Sequence, residues 1–261
     1  FALLRDDEQS LLQQPEPVPD EFEFSDIEFD AQHPSLTFAK GPDAGTCLHA
    51  VFEHWDFVAQ ERLPQIISEQ LSHYGLLSNE QLPQQLSAWF NAIVQSPLAS
   101  AQGERFCLAD ISAKHRLDEM EFYLPVGHLT SAQIDKLLNS NKRFSFEPIQ
   151  GYLKGFIDLI FCHNGRYYVV DYKSNHLGFT VTDYAPSALT QAMFEHAYDL
   201  QAWIYTLALD QLLRNRLPNY EPSQHLGGVF YFFLRGMHLG AQAPLLAHPK
   251  LALPLPPGVY Y

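Results

Sequence analysis

The stretch Gly151-Tyr-Leu-Lys-Gly155-Phe-Ile-Asp158-Leu-Ile-Phe-Cys-His-Asn164-Gly165-Arg-Tyr-Tyr-Val-Val-Asp171-Tyr172-Lys173 decides the fold of this chain. Asn164-Gly165 separates two runs rich in β-branched and aromatic residues. A two-residue type I′ turn needs positive φ at both central positions, and Asn-Gly supplies it at the least steric cost. With these two residues as the loop, His163 faces Arg166 and every opposed pair sums to 329. Asp158 then falls opposite Asp171. Opposed Cβ atoms lie roughly 4.5–5.5 Å apart, where like charges destabilise a sheet. Lys173, two residues past Asp171, points to the same face.

Such a pairing needs a reason. Asp158 is bordered by Ile157, Leu159 and Ile160, and Asp171 follows Tyr-Tyr-Val-Val, so both carboxylates sit on strands that otherwise favour burial. Each raises the other's pKa unless a cation neutralises them. A divalent metal does so, and hard oxygen ligands suit Mg²⁺ or Mn²⁺. Lys173 would then hold phosphate or orient a water. The alternative is that Lys173 bridges two structural aspartates, and a one-residue bulge would undo the register.

Outward from the hairpin, the pattern is helical before and mixed after. Leu48, Val51, Phe52 and Trp55 recur at i, i+3, i+4, i+7, with Thr46 as the expected N-cap. Helical stretches are predicted over Leu63–Tyr74, Glu80–Val94, Lys136–Arg143 and Leu189–Arg216, and strands over Met120–Val126 and Val229–Leu234. The last is apolar throughout, as a strand buried on both faces is. The expectation is an α/β domain, a mixed sheet flanked by helices. Residues 237–261 give no clear pattern.

The chain has 261 residues, with 16 Lys+Arg against 30 Asp+Glu and a formal net charge of -14. At 46% hydrophobic residues it can fill one sizeable core. No apolar run approaches the ~18 residues that span a bilayer. Cys47, Cys107 and Cys162 suit neither a disulfide framework nor a zinc site, and fit a reducing cytoplasm. The acidity argues against a phosphate-gripping surface, but it is uneven. Residues 1–30 hold ten acids and one base, so residues 31–261 hold 20 acids and 15 bases. Pro15, Pro17 and Pro19 precede Glu21-Phe-Glu-Phe-Ser-Asp-Ile-Glu28, and alternating proline favours an extended chain. Residues 1–40 are therefore expected to be an acidic linker and 41–261 the folded domain. The alternative is an ordered arm packed through Phe22, Phe24 and Phe29. The start at Phe1 suggests a piece of a longer chain.

Gly155-Phe-Ile-Asp158, twelve residues, then Asp171-Tyr172-Lys173-Ser174-Asn175 resembles the D…D-x-K signature of PD-(D/E)XK nucleases. The wording from Leu153 to Phe161 and from Tyr167 to Asn175 is similar to the RecB-type nuclease domains that end bacterial RecBCD helicase–nucleases. The resemblance covers about Gly45 to Gly236. It implies the restriction-endonuclease-like core and Mg²⁺-dependent hydrolysis of DNA, single strands delivered by a helicase, in a bacterial cytoplasm. It also implies the partners of that assembly: the RecB helicase region, the RecC and RecD subunits, and the RecA recombinase.

The resemblance implies metal ligands at His49, in Gly45-Thr-Cys-Leu-His49, and at Asp158, Asp171 and the Tyr172 carbonyl. Read from its residues alone, His49 sits beside an apolar helix face and is better explained as a half-buried structural histidine. Tyr198-Asp-Leu-Gln201-Ala-Trp-Ile-Tyr205 resembles the family's Q-x3-Y motif, whose i, i+4 spacing puts both polar ends on one helix face. Glu121 is matched to an acidic position near the metal. No G-x4-G-K-[ST] phosphate loop occurs, so a motor would lie outside this chain. Two rivals stand beside the RecBCD-type deoxyribonuclease: a docking module that loads RecA, and a related exonuclease from another system.

Overall fold

A computed structural model describes residues 28–140 and 143–261. The helices are α1 (Pro34–Thr37), α2 (Pro42–His54), α3 (Leu63–His73), α4 (Leu82–Gln95), α5 (Ser131–Leu137), α6 (Pro186–Glu195), α7 (Tyr198–Arg216) and α8 (Pro222–His225). The strands are β1 (Leu98–Ala99), β2 (Arg105–Phe106), β3 (Arg116–Leu129), β4 (Ile149–His163), β5 (Arg166–Lys173), β6 (Leu226–Phe233) and β7 (Val259–Tyr260). Strands β3 to β7 form one sheet in sequence order, all pairs antiparallel except β5 with β6. This is the mixed, helix-flanked sheet that the resemblance implies.

The hairpin turns where its chemistry demands. Asn164 and Gly165 have φ of 48° and 76°, and the pairs run from His163↔Arg166 to Leu159↔Val170, all summing to 329. There the ladder ends. At the next step the Tyr172 N–H donates to Asp158 Oδ2 at 2.7 Å. A side chain thus replaces the ladder bond, and β4 parts from β5 at the two aspartates. Strand β5 continues instead against β6, as far as Lys173↔Phe233.

Burial follows the apolar patterns. Phe230 and Phe232 of β6 pack into one core with α2, α3 and α4, and Tyr231 and Phe233 into a second with α6. A third cluster joins Ile157, Ile160 and Val169 to Tyr205, Leu209 and Leu213 of α7. The strand read as buried on both faces is so.

Four local expectations differ. Helix α2 begins at Pro42 behind Gly41, whose φ is 110°; Thr46 lies inside it and donates to the Pro42 carbonyl. Proline at the first turn starts the helix before the expected cap. The helix placed at Lys136–Arg143 is α5, starting at Ser131 with a capping box between Thr130 and Gln133. The stretch Leu189–Arg216 is two helices, broken at Ala197 with φ of 55°. Finally, residues 28–40 belong to the globular fold. Phe29, Leu36 and Phe38 are buried, and the Phe29 N–H donates to the Phe179 carbonyl at 2.8 Å. The rest of the expected linker, with Phe22 and Phe24, lies outside the described residues.

Arg235 fastens that entry segment. It is fully buried and donates to four carbonyls: Ser174 at 2.9 Å, Ser35 at 2.8 Å, Phe38 at 3.1 Å and Ala39 at 2.7 Å. Residues 237–261 close the sheet's far edge. Val259 and Tyr260 pair with Phe232 and Tyr231, and Leu255 and Val259 enter the main core.

Candidate metal centre and its lysine

The parting of β4 and β5 exposes Asp158 and Asp171 to two different surroundings. Asp158 turns toward α2, and Asp171 toward α7.

On the α2 side, the apolar stripe that buries Leu48, Val51 and Phe52 turns His49 toward the end of β4. Its Nδ1 lies 3.4 Å from Asp158 Oδ1, and its Nε2 2.9 Å from the Tyr172 carbonyl. Glu119 of β3 completes the group. Its φ of 48° interrupts the strand between Asp118↔Leu159 and Met120↔Ile157, directly across from Asp158. Nitrogen or carboxylate atoms of His49, Glu119 and Asp158 all lie within 4.8 Å of one another. They line an open hollow of about 430 Å³ with Gly45, Thr46, Glu53 and Tyr74.

This side is under electrostatic stress. Burial, then repulsion from Asp158, pushes Glu119 up to about 7. Burial alone would lower the His49 pKa, but contact with Asp158 and the charges of Asp171 and Glu119 outweigh it and raise it. One imidazole and two carboxylates turned to one hollow suit a hard divalent cation with one borderline ligand.

The α7 side is a closed ring. Lys173 Nζ lies 2.6 Å from Asp171 Oδ2 and donates to Gln201 Oε1 at 3.0 Å. Gln201 Nε2 donates to the Tyr205 hydroxyl at 2.7 Å, which donates to Asp171 Oδ1 at 3.1 Å. The Tyr198 ring lies 3.8 Å from the same ammonium. The αL turn at Ala197 sets Tyr198 at the head of α7 for this contact. Asp171 is 2% exposed. Burial first, then Asp158, raises its pKa, and Lys173 and His49 oppose that. The Asp171–Lys173 ion pair closes the ring on the Oδ2 side.

The structure thus brings His49, Asp158 and the Tyr172 carbonyl into one group, and Asp171, Lys173, Gln201 and Tyr205 into its neighbour. It does not bring Glu121 there. Glu121 is exposed on β3, 2.6 Å from Lys154. The acid beside Asp158 is Glu119, two residues earlier. Strict alternation puts 119 and 121 on one face and cannot choose between them; the positive φ that turns Glu119 inward carries no sequence signal in a non-glycine residue. The cysteines make no disulfide, and among the described residues no helix is long and apolar enough to cross a membrane.

Residues 27–252 match the family model of the PD-(D/E)XK nuclease superfamily. The chain is 42% identical over 217 residues to RecBCD enzyme subunit RecB of Escherichia coli (strain K12), a match covering 79% of this chain and 18% of that protein. To the RecB subunit of Haemophilus influenzae it is 39% identical over 209 residues, 78% of this chain and 17% of the relative. To that of Mycobacterium tuberculosis it is 32% identical over 251 residues, 84% and 23%. The chain spans about a fifth of the length of these relatives.

Proposed function

Since this chain belongs to the PD-(D/E)XK nuclease superfamily, we propose that it hydrolyses DNA phosphodiester bonds with Mg²⁺, or Mn²⁺, as a RecBCD-type deoxyribonuclease. The observation that carries this reading is the convergence of His49, Glu119 and Asp158 beside a buried, immobilised Lys173.

These three residues would hold the cation, with Asp171 and the Tyr172 carbonyl as candidate further ligands. Bound there, a divalent ion supplies charge neutralisation and Lewis acidity toward a phosphoryl oxygen and its attacking water. Lys173 acts as a fixed cation. Its Nζ is held by Asp171, Gln201 and the Tyr198 ring, so it meets developing negative charge without reorganising. Gln201 and Tyr205 are positioning residues. Tyr205 fixes Asp171 Oδ1, and Gln201 fixes the lysine that pairs with Oδ2. His49 anchors α2 to the carbonyl that follows Asp171.

The charge distribution bears on substrate delivery. With 20 acids and 15 bases after residue 30, capture of DNA by charge alone is weak. The proposed setting is that of the RecB relatives, with a helicase region and the RecC and RecD subunits feeding single strands to this domain in recombination and repair. Loading of RecA is the rival role, and the Asp158–Asp171–Lys173 grouping favours catalysis over it.

The test is direct. Asp171→Ala or Lys173→Ala should abolish Mg²⁺-dependent degradation of single-stranded DNA while the melting curve stays cooperative. Full activity in Asp171→Ala would sink the assignment.

A further inference from the structure

Strands β3 and β4 extend beyond the sheet as a two-stranded ribbon whose faces differ. One face is covered. Phe122 is 7% exposed, and its ring lies across Gly155, where a Cβ would come within 2.6 Å of it. The same ring meets Tyr205 edge-on at 6.0 Å.

The other face is bare. Tyr152 is 74% exposed, Tyr123 52% and Phe156 47%. Tyr152, Lys154 and Phe156 alternate along β4, and Tyr123 is the cross-strand partner of Lys154. Lys154 Nζ lies 5.5 Å from the Tyr123 ring centroid and 5.4 Å from that of Phe156. Three rings and an ammonium therefore share one solvent face. Glu121 pairs with Lys154 there, but an exposed pair of this kind is weak enough to yield to a phosphate.

The position of this face matters more than its composition. Two residues past Phe156 on β4 comes Asp158, and two before Glu121 on β3 comes Glu119. Each step is about 6.6 Å along a strand. The bare face thus runs into the two acids of the candidate metal centre.

We propose that the outer face of the β3–β4 ribbon is a stacking track that receives single-stranded nucleic acid and leads it to Glu119 and Asp158. This rests on the nuclease reading and adds to it the surface that receives the strand. Flat rings interleaved with a cation suit unpaired bases and their phosphates, because every base offers a π-face whatever its sequence. A partner helix would call for contiguous aliphatic surface, and here charged Lys154 and Glu121 interrupt the rings. A duplex keeps its bases stacked inside and has no faces to offer.

The experiment is fluorescence anisotropy of a labelled (dT)20 strand with the full chain, in EDTA at low salt, so that no metal or cleavage enters. Tyr152→Ala and Phe156→Ala are each expected to weaken binding about tenfold, the low end of a base–aromatic stack. Tyr152→Trp should retain it, and Lys154→Gln should flatten the salt dependence. Unchanged affinity in a Tyr123/Tyr152/Phe156 triple alanine variant with an unaltered melting temperature overturns the proposal. So does failure of the unaltered chain to bind (dT)20, or equal sensitivity of a duplex of that length. The nuclease reading is tested apart, by Mn²⁺-dependent cleavage of bis(4-nitrophenyl) phosphate, a diester too short to reach the ribbon. Cleavage of that diester with no ribbon effect on (dT)20 would remove the track and leave the nuclease.

Discussion

Asp158 and Asp171 differ more in their neighbours than in their positions. Around Asp171, Lys173, Gln201 and Tyr205 close a hydrogen-bonded ring, and the carboxylate is almost wholly buried. Around Asp158, a second acid and an imidazole crowd an open hollow with no basic Lys or Arg among its lining residues. The first arrangement is complete as it stands. The second is strained by like charge and eased by any cation that enters. The contrast teaches that one half of the site positions a fixed charge, and the other is built to take one up.

The strongest way to break this contrast is Asp158→Asn. It removes the carboxylate that lies 3.4 Å from His49 and also accepts the Tyr172 N–H. Cleavage of single-stranded DNA at saturating Mg²⁺ should fall at least about 10²–10³-fold, as when a charge-stabilising group is lost. A rate within tenfold of the unaltered chain would refute the shared role.

A finer cut separates the two acids of β3. Glu119→Gln should raise the half-saturating Mg²⁺ concentration about 10–100-fold, while Glu121→Gln leaves it within about twofold. The reverse ranking would restore Glu121 to the site. On the ring side, Tyr205→Phe deletes only the hydroxyl that joins Gln201 to Asp171. It should lower kcat about tenfold with the metal requirement nearly unchanged, because two hydrogen bonds holding the pair are lost. A shift in metal requirement instead would mean that the two halves are not separable.

The smallest effect lies away from both. His248 is 6% exposed, and its buried Nε2 has no partner. Burial, then Lys250, lowers its pKa to about 4, against about 6.5 unfolded. The folded state favours the neutral ring. Its contribution is thus full above pH 6.5 and is lost as pH falls toward 4. Denaturant titrations at pH 7.5 and 5 should differ by about 1 kcal/mol less in His248→Phe than in the unaltered chain. Equal pH dependence would exclude the histidine.

The sequence made the hairpin legible because its information is local. Asn164-Gly165 fixes the turn, counting fixes the register, and the register brings Asp158 to Asp171. The apolar run of β6 was legible for the same reason. What stayed hidden depends on contacts between distant segments. Nothing local distinguishes Glu119 from Glu121 until the strand is seen to kink at 119. The break at Ala197 involves neither glycine nor proline. It is accompanied by the stacking of Tyr198 on Tyr231 at 5.7 Å. Residues 237–261 have no periodicity to read, since β6 and the main core hold them. The packing of residues 28–40 stayed hidden too, because Phe29, Leu36 and Phe38 are spaced too irregularly to signal an element.

Arg235 gives the molecule a load path. Its guanidinium holds the carbonyls of Ser35, Phe38 and Ala39 with one set of nitrogens and that of Ser174 with another. Tension on the chain ahead of Ser35 meets the Phe29–Phe179 hydrogen bond first and this buried side chain next. It arrives at Ser174, the residue next to Lys173. The entry segment and the Lys173 end of β5 are thus tied together through one guanidinium.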